Sequence, residues 1–528
     1  MSLNLFANTI YISHFGTPLS IYTLMQINNV NGLGGSIFAF LEPYYFILFA
    51  DLIIILLFFR HIYFTKVKTS VSVRHFLIYL LVGMIVLPLH PLIVYSEAGD
   101  EELKGPEHIE KYSLLGYQLL DVYTVIKDSN ETLDEHEIAM LESFFQGKKQ
   151  TIQVSTGVDS ELVGFAEGKN LIMIQAESLQ NFVINRTIQG QEITPNINRM
   201  LENSYYYSNF YPQTIEGNSS DAELITQTSL YPVQKGAVFY RYPDNTYLSL
   251  GKLLKEIGYQ TVAVHADEEN YWNRDKIYPN LGFDQYWSIG EFDVEEEIGM
   301  GLGDDPMFRQ TAEKLKDLEE PFYSFIITLT NHMPYDLPEK YRELKLDSEL
   351  DETLFGGYLQ SVHYMDQAIG QFLDDLEANG LLEDSLIVLY GDHDGLFEKD
   401  KKLLETYWEG GPISESRWID EYVPVPFLIY HPEIEGKEIE IVGGQIDVLP
   451  TIGSIMGIDP DDLHYTFGEN LLLREEGFAI IPQGDYSKKP SYRVEDGGTY
   501  RPINNEESHM LDLSDLLIRG NFLDLVLD

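Results

Sequence analysis

The chain has 528 residues, with 35 Lys and Arg against 84 Asp and Glu and a formal net charge of −49. That balance excludes a general nucleic-acid binder, which needs a basic footprint to displace phosphate counterions. Hydrophobic residues make up 44% of the chain and cysteine is absent, so a large core is expected while thiolate metal sites, cysteine nucleophiles and disulfide frameworks are ruled out.

The charge is unevenly spread. Residues 1–95 hold only two acids, Glu42 and Asp51, and four strong bases, Arg60, Lys66, Lys68 and Arg74. Two stretches there, about 37–59 and 76–95, approach the roughly 20 apolar residues that cross a bilayer. The second contains no Asp, Glu, Lys or Arg. The loop between them, Arg60 to His75, carries all four bases, and the positive-inside rule puts it in the cytoplasm. The acidic remainder is then expected outside the cell. No signal-peptide pattern opens the chain. Residues 1–98 therefore read as a membrane region with two transmembrane helices. Residues 99–165 read as a polar linker with amphipathic helices near 113–127 and 133–147.

From Asn170 onward short apolar runs alternate with helical patterns, the signature of an α/β fold with a mostly parallel central sheet. The runs are 170–176, 260–265, 323–330, 385–390 and 426–430; helical patterns fall at 246–257, 306–319, 357–379 and 447–456. Gly258 and Gly380 stand where helix stop signals belong. This catalytic-domain pattern covers about 166–480, leaving 481–528 as a C-terminal extension expected to pack on it.

Chemistry-bearing residues follow the strands. Glu177 follows the first run, His265 and Asp267 end the second, Asn331 and His332 follow the third, and Asp392 and His393 follow the fourth. In open α/β sheets ligands bind beyond the carboxyl ends of strands, so these side chains are expected on one rim. Carboxylates and imidazole together suit Mn²⁺, Zn²⁺ or Mg²⁺. Between the first two runs lies Gly217-Asn218-Ser219-Ser220-Asp221-Ala222-Glu223 ahead of a helical pattern. Either serine reads as an N-cap, and a hydroxyl at a helix start is also an anion cradle and candidate nucleophile. Asp221 reads as an acid that would repel a phosphate there.

The motifs QAESLQ, EGNSSDAE, VHADEENYWNRDKIY, ITLTNHMPY, YGDHDG and GGQIDVLPTIGSIMGID, in this order, resemble the lipoteichoic acid synthases of the alkaline phosphatase/sulfatase superfamily. The resemblance implies Glu177, Ser219, Asp392 and His393 as metal ligands, with Mn²⁺ favoured, and Ser219 as the nucleophile. It implies His265, Asp267, Trp272, Arg274 and His332 as the glycerol-phosphate pocket, with Arg274 and His332 assisting catalysis. Phosphatidylglycerol is the implied donor, and a glycolipid-anchored polyglycerol phosphate the implied acceptor, at the outer face of a Gram-positive-type cell membrane. Two departures stand out. The family nucleophile is typically Thr after Lys, whereas here Ser219 follows Asn218. Members also carry five spans, so this sequence reads as N-terminally shortened.

Other readings fare worse. Formylglycine sulfatases need Arg at +4 from the modified residue, and Glu223 stands there. Phosphoethanolamine transferases carry disulfide-rich outer domains, and this chain has no cysteine. A hydrolase of the same superfamily, and a non-catalytic module holding anionic polymer through a structural ion, remain as alternatives.

Overall fold

The computed structural model describes residues 2–15, 18–25, 41–65, 78, 81, 107–128, 132–152, 160–294, 297–483 and 490–527. The chain divides into two compact units, one of Met1–Val30, Gly34–Thr132 and Gln483–Pro490, the other of Asn31–Leu33, Leu133–Pro482 and Ser491–Asp528.

The first unit is helical: Ser2–Phe15, Ile21–Met25, a 3₁₀ turn at Pro43–Phe49, Ala50–Thr65 and Glu107–Asp128. Polar side chains join its parts. Asn4 and Gln118 exchange amide hydrogen bonds at 2.7 and 3.0 Å, and the Asp121 carboxylate accepts the Ile21 amide at 2.5 Å. The helix Ala50–Thr65 has 16 residues and exposes Leu52, Ile53, Ile54, Leu56 and Leu57. It runs on past the expected end of the first span at Phe59. Among the described residues no helix is long and apolar enough to cross a membrane. The second expected span, 76–95, lies outside the described residues except for Ile78 and Leu81.

The second unit is built on a nine-stranded sheet. Its strands are β1 (Asn170–Ala176), β2 (Ser204–Tyr211), β3 (Gln260–Val264), β4 (Gln285–Trp287), β5 (Phe322–Ile327), β6 (Ser385–Gly391), β7 (Val425–Tyr430), β8 (Lys437–Ile439) and β9 (Gly443–Gly444). The order is β8-β2-β7-β6-β1-β5-β3-β4, with β9 also pairing β2. Strands β6, β1, β5, β3 and β4 run parallel. Strand β7 is antiparallel to both neighbours. Strand β2 was not expected from the sequence. A separate antiparallel sheet, β10 (Phe478–Ile481), β11 (Tyr492–Glu495) and β12 (Thr499–Pro502), lies near the C-terminus. This unit is an α/β sandwich with a mostly parallel sheet.

Both sheet faces are covered, which is why the central strands read as continuous apolar runs rather than alternating ones. Leu171, Met173, Leu386 and Val388 pack on one side with helices α1 (Glu135–Ile152), α2 (Ser219–Thr228), α3 (Leu250–Glu256) and α4 (Arg274–Asn280). Ile172, Ile174, Ile387 and Leu389 pack on the other with α5 (Asp304–Leu315) and α6 (Leu354–Ala378). Gly258 and Gly380 adopt φ of 99° and 75° just past α3 and α6, the left-handed stop that the sequence indicated.

Candidate active site

Strand register fixes the rim. Ala176 pairs with Gly391, Gln175 with Ile327 and Val264 with Ile326. Glu177 and Asp392 therefore leave neighbouring parallel strands at the same level, flanked by the exits of β5 and β3 that carry His332 and His265.

Three of these side chains and Ser219 converge. Single ligand atoms of Glu177, Asp392 and His393 all lie within 4.8 Å of one another. His393 Nε2 stands 3.6 Å from Glu177 Oε1 and 3.5 Å from Asp392 Oδ2. Ser219 Oγ donates to Glu177 Oε2 at 3.2 Å and lies 3.3 Å from His393 Nε2. The donor set fits a divalent cation on three counts. Asp392 Oδ2 is buried without a hydrogen-bond partner, a costly state for an anionic oxygen. His393 Nδ1 faces the Asp394 carbonyl at 3.1 Å, so that nitrogen keeps a proton and Nε2 is the ring atom turned to the cluster, where a cation would displace its proton. Burial raises the Asp392 pKa and Glu177 raises it further. Burial lowers that of His393, but Asp392 and Glu177 outweigh it and raise it overall. This is the electrostatic signature of a cluster short of positive charge.

The surroundings hold the ligands rigidly. The Ser178 amide donates to Asp392 Oδ1 at 2.7 Å and its hydroxyl to Glu177 Oε1 at 2.8 Å. Thr328 Oγ1 accepts the Glu177 amide at 2.8 Å, and Asn331 Nδ2 donates to the Glu177 carbonyl at 2.9 Å. Gln445 Nε2 donates to the Asp392 carbonyl at 2.6 Å. Ser178 has φ of 55°, a left-handed state that non-glycine residues adopt only when their surroundings enforce it.

The nucleophile loop differs from expectation in its cap. Asn218 is the N-cap of α2, at φ 43° and ψ −117°, and Ser219 is the first helical residue. All ten residues of α2 are buried, and polar side chains of the sheet tether it. Gln175 donates to the Ser219 carbonyl at 3.2 Å, the Tyr390 hydroxyl donates to Gln175 Oε1 at 2.7 Å, and Thr226 meets that hydroxyl at 2.9 Å. The choice between the two serines is now geometric. Ser220 Oγ donates to the Gly217 carbonyl at 2.8 Å, away from the cluster. Asp221 does not face an incoming anion as expected: its Oδ2 accepts the amides of Ile215 and Gly217, each at 2.9 Å.

The remaining expected residues gather around Arg274. Its guanidinium is buried; burial of His265, with the Arg274 charge as the second cause, holds the His265 pKa well below the ordinary value. Burial pushes Asp267 up to about 6 against the pull of Arg274, and Asp267 Oδ2 is buried without a partner. Burial lowers the His332 pKa, and His332 Nδ1 faces the Met333 carbonyl at 2.7 Å, leaving Nε2 unprotonated. Trp272 is buried in the turn before Arg274, its ring 5.9 Å from Tyr240, and Trp272 and Asn273 are both left-handed at φ 55° and 59°. Sequence reasoning missed Glu223 as the partner of Arg274, and Ser178, Thr328 and Gln445 as supports; apart from the bond between the neighbours Ser178 and Glu177, these contacts join residues far apart in sequence and leave no local signal.

Family models match this chain as sulfatase over residues 169–458 and as lipoteichoic acid synthase N-terminal domain over residues 1–133. The lipoteichoic acid synthase of Staphylococcus aureus (strain USA300) is 32% identical, covering 95% of this chain and 78% of that protein. The chain belongs to the lipoteichoic acid synthase family. A lipoteichoic acid synthase-like protein of Bacillus subtilis, YvgJ, is 30% identical across 99% of this chain and 87% of its own length. Among solved structures, the lipoteichoic acid synthase LtaP from Listeria monocytogenes superposes with a TM-score of 0.61 at 27% identity, covering 72% of this chain and 98% of that one. A protein of the alkaline phosphatase superfamily from Vibrio parahaemolyticus, at 20% identity and a TM-score of 0.54, shares the fold. This synthase-family chain is accordingly a phosphotransferase with an alkaline phosphatase-like fold.

Proposed function

We propose that this protein is a membrane-anchored, extracytoplasmic enzyme that moves glycerol phosphate from phosphatidylglycerol to a lipoteichoic acid chain or its glycolipid anchor through a covalent Ser219 intermediate. The observation that carries the reading is the Ser219 hydroxyl 3.2 Å from Glu177 and 3.3 Å from His393, at the first turn of a buried helix. Glu177, Asp392, His393 and Ser219 would hold Mn²⁺, with Mg²⁺ or Zn²⁺ as alternatives. When bound, the ion supplies charge that stabilises the serine alkoxide and the phosphoryl oxygens.

Ser219 Oγ attacks the phosphorus of phosphatidylglycerol as its proton passes to His332 Nε2, the bond to the diacylglycerol oxygen breaks, and His332 gives that proton to the leaving oxygen. The acceptor hydroxyl then attacks the glycerophosphoryl-serine and frees Ser219. His332 Nε2, unprotonated because burial disfavours the imidazolium, takes the acceptor proton and passes it to the departing Ser219 Oγ. Arg274 orients the phosphoryl oxygens, and His265 and Asp267 bind the glycerol hydroxyls while Trp272 packs on its carbons. The two apolar stretches at 37–59 and 76–95 would keep the catalytic unit beside its lipid donor.

Product analysis with phosphatidylglycerol labelled in its terminal glycerol tests this reading, with Mn²⁺ present and after exhaustive chelation. Labelled polymer or labelled glycolipid, lost on chelation and restored by Mn²⁺, is expected. Free glycerol phosphate alone would make the enzyme a hydrolase, and turnover that survives chelation would remove the ion from the reading.

A further inference from the structure

Arg274 and Glu223 form a buried pair, their side chains 1% and 0% exposed. Arg274 Nη2 lies 2.5 Å from Glu223 Oε1, and Nε lies 3.1 and 3.2 Å from the two carboxylate oxygens. The Tyr278 hydroxyl donates to Oε2 at 2.6 Å. Glu223 thus grips one edge of the guanidinium, while Nη1 reaches only the Tyr271 carbonyl at 3.5 Å. Glu223 also sits four residues after Ser219 on α2, which places the two on one helix face about 6 Å apart along the axis. Arg274 in turn begins α4, directly after the left-handed pair Trp272 and Asn273.

A buried guanidinium with a single anionic partner cannot leave it cheaply, because an unpaired buried charge is heavily penalised. Its orientation is therefore dictated by α2. We infer that Glu223 is a positioning residue for phosphoryl transfer: it sets the distance and angle of Arg274 relative to Ser219, so that helix α2 carries both the nucleophile and the anchor of the phosphate-orienting arginine. The inference rests on the reading of Arg274 as the ligand of the phosphoryl group. A lysine in place of Arg274 could not be held by one edge and donate from another.

The test is a double-mutant cycle on the full chain in detergent micelles, following diacylglycerol release from a fluorescent phosphatidylglycerol. Arg274→Met is expected to raise KM and lower kcat. Glu223→Gln is expected to shift both in the same sense, with kcat/KM falling about 100-fold, the scale of a displaced catalytic group. The double variant should be no worse than Arg274→Met alone. Glu223→Asp, which keeps the charge, should recover part of the lost KM. A purely structural role would shrink the active fraction and lower kcat at constant KM, and that result in Glu223→Gln and Glu223→Asp overturns the inference. Losses that multiply in the double variant also overturn it. Wild-type kinetics in Arg274→Met would instead overturn the reading of Arg274 beneath it.

Discussion

Two adjacent serines at the start of α2 have opposite fates, and the difference is set by helix geometry. Ser219 meets Glu177 and His393, whereas Ser220 is turned back onto the Gly217 carbonyl. Ser219→Ala is therefore expected to abolish turnover while leaving the melting temperature nearly unchanged. Ser220→Ala should keep turnover within a few-fold and cost about 1 kcal/mol of stability, the net worth of one hydrogen bond. Steady-state rates and intact-mass detection of a glycerophosphoryl adduct check both; an adduct persisting in Ser219→Ala would move the nucleophile. At this scale the sequence was informative about residues that end strands, because strand ends are visible in the hydrophobic pattern. Glu177, His265, His332, Asp392 and His393 all sit at the rim that pattern indicated. It could not show that Glu223 would be spoken for by Arg274, 51 residues away, or that Asp221 would turn back to cap its own loop.

The loop leaving β6 shows how tightly one element constrains the site. Gly395 lies two residues past His393, and a Cβ there would come within 2.6 Å of both the Ser178 carbonyl and the Tyr358 ring. Ser178 itself holds Asp392 and Glu177, so any shift of the loop propagates into the ligand cluster. Gly395→Ala is expected to destabilise the fold by about 1–3 kcal/mol, the usual cost of overpacking, and to lower turnover along with it. Gly411→Ala, where a Cβ would meet nothing within 4 Å, serves as the control. Thermal melts and rates of the two variants decide it, and equal behaviour would show that the loop gives way freely. Strands β1, β3, β5 and β6 were legible because both their faces are buried and apolar residues dominate their sequences. Strand β2, SYYYSNFY, was not: its tyrosines and serine read as polar although Tyr205, Tyr206, Tyr207 and Tyr211 are buried. The reversed direction of β7 was invisible for a different reason, since a period-2 or all-apolar pattern carries no information about strand polarity.

For the whole molecule, charge dominates. A net charge of −49 makes the folded chain repel itself, and salt screens that repulsion. Buried acids add a pH dependence of the same sign. Burial raises Asp267 and Asp304 to about 6 each, above the ordinary carboxylate value near 4. The folded state then binds protons more tightly than the unfolded one, so this contribution is full below about pH 4 and is lost as the pH rises through about 6. His265 and His332, held neutral by burial, work in the opposite sense below about pH 6.5, so the carboxyl contribution is read by difference: in the metal-free protein Asp304→Asn should raise the melting temperature more at pH 8 than at pH 5, and an equal shift at both would contradict it. Charge also orients the chain. Arg60, Lys66, Lys68 and Arg74 crowd the segment between the two apolar stretches, and Lys104 is the first strong base after the second. In the membrane-anchored reading proposed above, four against one is the bias that would keep this loop in the cytoplasm. On that reading Glu177, Ser219, Asp392 and His393 would all lie outside, where a phospholipid can serve as donor and a nucleotide cannot. The cysteine-free sequence makes this directly measurable. One cysteine is introduced at Ser70 and, in a second variant, one at Ser160, and intact cells are treated with a membrane-impermeant maleimide. Labelling of Ser160→Cys with protection of Ser70→Cys is expected. The reverse pattern would put the catalytic unit in the cytoplasm, separate it from the wall polymer, and remove the phosphatidylglycerol reaction proposed for it.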